Sequence, residues 1–160
     1  MGQNNSMRWL GVSAVISNIT SLNNLPAVGE FVREPSTDHE YCFIYNDCNS
    51  ELKTGDGVVL CSNASAGSVT LSSVSGANMP FGLVKNASIA TGCYGFVLTK
   101  GFGRVNMHAD VSAAVGEPLF LGANGKFGNK SISTGAMANV VGQALSAIAS
   151  GVSGPAFFKV

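Results

Sequence analysis

From Glu40 onward, apolar runs of four to eight residues recur, separated by Gly, Asn and Ser. Runs this short, bounded by turn residues, predict strands rather than helices. The spacing predicts strands over residues 40–45, 57–61, 68–73, 81–85, 93–99, 104–107, 118–121, 140–147 and 156–160. Ala123-Asn124-Gly125-Lys126 is the strongest hairpin signal, because Asn-Gly accepts the positive φ values of a type I′ turn. Lys100-Gly101-Phe102-Gly103-Arg104 reads as a short turn with two solvated charges. The stretch after Met137 is rich in Ala, which suits a helix, but Gly142 and Gly151 would break one. Its alternation over 140–147 favours a strand. About nine short strands predict an all-β fold, a compact barrel or sandwich.

The first 39 residues differ. Asn/Ser clusters, Pro26 and Pro35 surround apolar islands at residues 9–16 and 31–32. This predicts an extended N-terminal arm over 1–39, anchored at points, ahead of a β-barrel domain over 40–160. Within the first strand of that domain, Tyr41, Phe43 and Tyr45 line one face, and Cys42, Ile44 and Asn46 the other. Two largely apolar faces predict cover on both sides, either inside the barrel under the arm or at a subunit interface. Phe157-Phe158 similarly places one ring inward and one outward, and the outward ring is an interface candidate.

Composition narrows the function. Only 11% of the 160 residues are charged, against about 25% in a typical soluble protein, and the formal net charge is zero. Nucleic-acid binding needs a basic footprint, which is missing. A chain that is 46% hydrophobic is not disordered. No apolar run reaches 18 residues, so no membrane-spanning helix is expected. A charge-poor surface suits a subunit packed against copies of itself or a partner. The charges are also segregated. Residues 1–60 hold seven acids against three bases, a net of −4, and residues 61–160 hold two acids against six bases, a net of +4. Opposite signs could steer contact between copies, or simply neutralise each other within one fold.

Candidate chemistry is sparse. Cys42, Cys48, Cys61 and Cys93 form no Cys-x-x-Cys pair, so neither a zinc site nor any other metal is expected, and free thiols made in a reducing cytosol are. Residues 122–128 fail the P-loop spacing. His39 and His108 accompany no nucleophile motif. No catalytic residue and no cofactor follow from the sequence.

The ordered series Glu40-Tyr41-Cys42-Phe43-Ile44-Tyr45-Asn46, residues 52–60, Pro80-Phe81-Gly82-Leu83-Val84, residues 92–101, residues 115–121 and Val140-Val141-Gly142-Gln143-Ala144-Leu145 resembles small β-barrel head proteins of tailed bacteriophages. These are the capsid decoration, or cement, proteins, and the resemblance covers residues 40–160. It implies a non-enzymatic virion protein, made in the host cytoplasm and carried on the outer surface of the capsid. It implies a homotrimer that bridges neighbouring major capsid protein subunits and stabilises the shell, with an arm reaching to the shell or a neighbouring copy. Trp9, Leu10 and Phe31 are the expected anchors, on a neighbour or equally on the chain's own barrel, and Arg33, Tyr41, Phe43 and Phe158 complete the interface candidates. Nucleic acid and membrane are not expected partners. Other β-structured phage components (tail, baseplate or head fibre) share this pattern. A carbohydrate-binding module fits less well, because the sole Trp lies in the arm and three Tyr are few for a sugar platform.

Overall fold

The computed structural model describes residues 26–34, 36–61, 68–71, 79–85, 88–129 and 140–160. Trp9 and Leu10 lie outside the described residues. The elements are strands β1 (Phe31–Glu34), β2 (His39–Asn46), β3 (Gly57–Leu60), β4 (Ser68–Leu71), β5 (Pro80–Leu83), β6 (Tyr94–Asn106), β7 (Pro118–Leu121), β8 (Phe127–Gly128), β9 (Val140–Ala144) and β10 (Ser153–Lys159). The all-β expectation holds.

Five strands close into a barrel in the order β2-β4-β3-β5-β6, with β6 pairing back onto β2. The β2–β4 pair is parallel and the other four are antiparallel. The second half of β6 then leaves the ring and starts another row, β6-β10-β9-β7-β8. That row curls back: Met107 bridges Phe127, and the His108 N–H donates to the Phe127 carbonyl at 2.9 Å. β6 therefore belongs to both halves of the molecule.

The expected turn at Lys100–Arg104 is not one. These residues continue β6 as a 13-residue strand, paired with β10 from Lys159↔Lys100 to Ser153↔Asn106. The glycines permit close approach instead of reversal. Gly101 has φ 136°, and a Cβ there would sit 2.2 Å from the His39 ring; at Gly103 it would sit 2.7 Å from the Leu83 side chain. The Asn-Gly turn forms as expected. Asn124 has φ 55° and ψ 32°, Gly125 has φ 72°, and the Lys126 N–H donates to the Ala123 carbonyl at 3.1 Å. It joins β7 to the two-residue β8, which was too short to read from the sequence.

Phe31–Glu34, read as part of the arm, form a strand along the first half of β2, from Phe31↔Cys42 to Glu34↔His39. The pairing extends backward, with the Phe43 N–H donating to the Glu30 carbonyl and the Gly29 N–H to the Phe43 carbonyl. Only Val32 of these four side chains is buried, so no alternation longer than one residue marked the strand.

The pleat divides the apolar residues between two cores. Cys42, Ile44, Val58, Val69 and Val97 fill the ring together with Leu52, Val84, Ile89 and Cys93. Tyr41, Val59, Leu83 and Leu98 point the other way, against Leu119, Leu121, Phe127, Val141, Ala156 and Phe158 of the second row. β2, β3 and β6 thus contribute neighbouring residues to opposite cores, as period two requires.

Candidate functional site

The barrel and the second row meet at a buried histidine. His39 begins β2 and is 7% exposed. Its Nε2 accepts the Phe102 backbone N–H at 3.2 Å. A neutral imidazole has one acceptor nitrogen, so this bond places the ring proton on Nδ1. Nδ1 faces the Lys85 Nζ at 2.8 Å, the Tyr41 hydroxyl at 3.4 Å and the Glu34 carboxylate at 3.4 Å. Lys85 also donates to the Tyr41 hydroxyl at 3.2 Å and lies over its ring. Burial, with help from the Lys85 charge, pulls the His39 pKa down, and Glu34 opposes this. Burial pulls the Lys85 pKa down as well. Burial thus works against the charged form of both groups. The cluster ties β1, β2, the chain after β5, and β6 into one joint.

Beside that joint, four strands place charges in register across the sheet: Arg33 opposite Glu40, Glu40 opposite Lys100, and Lys100 opposite Lys159. Arg33 pairs with Asp38, whose carboxylate it holds below its ordinary pKa by hydrogen bonding. Lys100 reaches Asp38 at 3.5 Å and Glu40 at 3.6 Å. Lys100 and Lys159, with Glu40, border an open cleft of about 300 Å³ whose apolar wall includes Phe31, Pro80, Phe81 and Val160. The Phe31 ring meets Phe81 edge-on at 6.4 Å. A second hollow of about 410 Å³ lies over β7, β9 and β10, between Pro118, Val140 and Phe157, and Lys159 borders both. Gly142 at its floor admits no Cβ, which would sit 2.5 Å from the Phe157 carbonyl oxygen.

Among the sequence-chosen interface residues that the structure describes, Phe31 and Arg33 present exposed side chains. Tyr41, Phe43 and Phe158 are 2%, 0% and 0% exposed. A ring without surface cannot meet a partner, so these three are core residues. Phe43 stacks on Tyr94 at 5.9 Å and tilts against Phe96 at 5.0 Å. Phe158 is the inward ring of its pair and meets Phe127 edge-on, whereas Phe157 is half-buried on the outer face beside exposed Phe102. Phe81, Lys100, Lys159 and Val160 escaped the sequence reading. The cleft draws on β1, β2, β5, β6 and β10, and no local spacing announces such an assembly.

Among the described residues no group of three or more His, Cys, Asp or Glu could hold a metal ion. No described helix is long and apolar enough to cross a membrane. No disulfide joins the four cysteines, and burial pushes the Cys42 thiol up to about 11, far from a reactive thiolate.

The sequence matches no protein-family model and no curated protein. The fold, however, is shared with solved phage structures. A chain from the capsid of the Myoviridae phage XM1 superposes with a TM-score of 0.59 at 18% identity, over 99% of this chain and 98% of that one. The N base of the head fibre gp8.5 of bacteriophage phi29 gives 0.52 at 12% identity, over 74% of this chain and 94% of that one. At such identities the likeness is one of fold.

Proposed function

We propose that this chain is a structural head protein of a tailed bacteriophage, a decoration protein seated on the outside of the capsid. It bridges neighbouring major capsid subunits there and stabilises the shell without catalysing a reaction. The observation that carries the reading is the end-to-end match, over 99% and 98% of the two chains, to a chain from a phage capsid. A fold shared over part of its length could be a common barrel reused elsewhere; a match that includes the second row and the edge strand is harder to reach by chance. The charge-poor composition and the apolar clefts agree with a protein whose work is contact. Self-association as a homotrimer and an arm formed by the residues ahead of β1 belong to the same proposal. Trimers multiply weak contacts: three linked sites hold a particle far longer than one.

The fold likeness to the phi29 head-fibre base favours a second reading, a fibre subunit rooted on the head. Electron cryomicroscopy of the phage that encodes this chain separates the two. A decoration protein appears as repeated density between shell capsomers, and a fibre base as the root of a projecting spike. Absence from the particle overturns both.

A further inference from the structure

The ladder between β2 and β6 ends at the pair Glu40↔Lys100. Beyond it the backbone N–H of Phe102 finds its acceptor in a side chain, the Nε2 of His39. The ring fits there because Gly101 has no Cβ; one would meet the imidazole at 2.2 Å. Two further groups, the Lys85 amine at 2.8 Å and the Tyr41 hydroxyl at 3.4 Å, face the other ring nitrogen. A neutral imidazole can accept the Phe102 N–H. An imidazolium donates from both nitrogens and accepts nothing. With a proton added, N–H would face N–H at Phe102, and a cation would stand 2.8 Å from the Lys85 amine. Carboxylates near the ring are differently placed. Glu34 on β1 lies 3.4 Å from Nδ1, and its side chain is partly exposed. Asp38 in the turn before β2 is held by Arg33 and Lys100, and Glu40 on β2 faces Lys100. Burial and the Lys85 charge lower the His39 pKa while Glu34 and Asp38 raise it, and the net shift is downward.

We propose that His39 is a proton-operated latch: protonation turns the ring away from Phe102 and toward Glu34, and opens the corner where β1, β2 and β6 meet. The Phe102 N–H then loses its acceptor, and the space beside Gly101 empties. Opening stays local, because neither apolar core contains a histidine or a carboxylate among the described residues. His108, the other histidine, lies in a separate turn beside Asp110. Phe102, 54% exposed, rides on the latched corner, so the surface presented there changes with pH. The latch goes beyond the head-protein reading and does not depend on it.

The test is amide hydrogen exchange of the full-length protein, followed by NMR between about pH 7.5 and about pH 5, with the His39 ring titrated in the same samples. Protection is taken relative to the intrinsic exchange rate at each pH. As His39 gains its proton, protection at Phe102 should fall by roughly tenfold or more. Two buried reference amides, Val84 in the ring core and Ala144 in the second row, should keep theirs. His39→Gln supplies a carbonyl acceptor that does not titrate, and should hold Phe102 protection level across the range. Glu34→Gln removes the carboxylate that receives the imidazolium, and should move the His39 titration to lower pH. If His39 titrates while Phe102 stays as protected as the references, the charged ring keeps its place and the latch is wrong. If all three amides lose protection together, the chain unfolds globally and no latch exists. If His39→Gln loses protection at Phe102 as wild type does, other groups drive the opening and the proposal is overturned. Should His39→Gln fail to fold, the wild-type comparison of Phe102 with the two references still decides.

Discussion

The two cores of this molecule are built from different side chains. The ring interior holds Cys, Val, Ile and Leu and no aromatic ring among its buried residues. The core between the ring and the second row holds Tyr41, Phe127, Phe158 and Met107, with Phe96 at its margin. Geometry explains the contrast. A five-stranded ring is narrower than the eight-stranded barrels whose interiors side chains just fill, so small branched residues suffice. Its walls come closer still at Gly82 and Gly95, where a Cβ would sit 2.6 Å from Val97 and from Ile89. The second row packs on the outside of the ring across a wider gap, which large rings fill. At Gly57 the ring backbone itself comes close to that row, with Leu121 2.4 Å from where a Cβ would be. One core is thus sensitive to added volume and the other to lost volume.

Substitutions can break this contrast, and the largest effect belongs to the aromatic core. Phe158→Ala should destabilise the chain by about 3–5 kcal/mol, since rigid neighbours on several strands cannot collapse into the space. Denaturant unfolding would show it; a loss below about 1 kcal/mol would mean that the second row is loosely attached. Gly101→Ala, at the joint between the halves, should cost about 1–3 kcal/mol or more. The new methyl meets the His39 ring, and φ 136° disfavours any side chain. In the ring, Ile44→Val removes one methylene and should cost only about 0.5–1.5 kcal/mol, whereas an enlarging change such as Gly82→Val should exceed it.

The joint also predicts a pH dependence. Because the folded chain lowers the His39 pKa, the unfolded chain binds the proton more readily. Stability from this group is full above the unfolded value near 6.5 and falls as pH drops through the depressed folded value. Thermal melts from pH 7.5 to 4.5 should show that decline, and His39→Gln should flatten it. A steeper fall in the variant would assign the effect to the carboxylates instead. The smallest effect is chemical. Under native conditions a thiol reagent should modify Cys48 and Cys61, both half-buried, long before Cys42, and labelling of Cys42 should track global unfolding.

Much of the secondary structure was legible in the sequence. The strands predicted over 57–61 and 118–121 and the Asn124-Gly125 turn depend on neighbours in the chain, and they formed within a residue of where local chemistry placed them. The failures share one cause. Gly101 and Gly103 look like turn residues, but His39 and Leu83, distant in sequence, occupy the space their missing side chains leave. Phe31–Glu34 look like arm, but the edge of β2 supplies their hydrogen bonds. Tyr41 and Phe43 lie on one of the two apolar faces read from the sequence, and a second row of strands covers Tyr41.

The sequence alone therefore determined the strand-and-turn alphabet, the all-β class and the shortage of charge, because each is a local or additive property. Only the tertiary structure decided which faces the ring would enclose, that β6 would serve both halves, and that Lys159 would stand opposite Lys100. Strand register is set by pairing between residues tens of positions apart. A one-residue slip would turn every side chain to the other face, so no local pattern can specify which charges and rings finally meet at the surface.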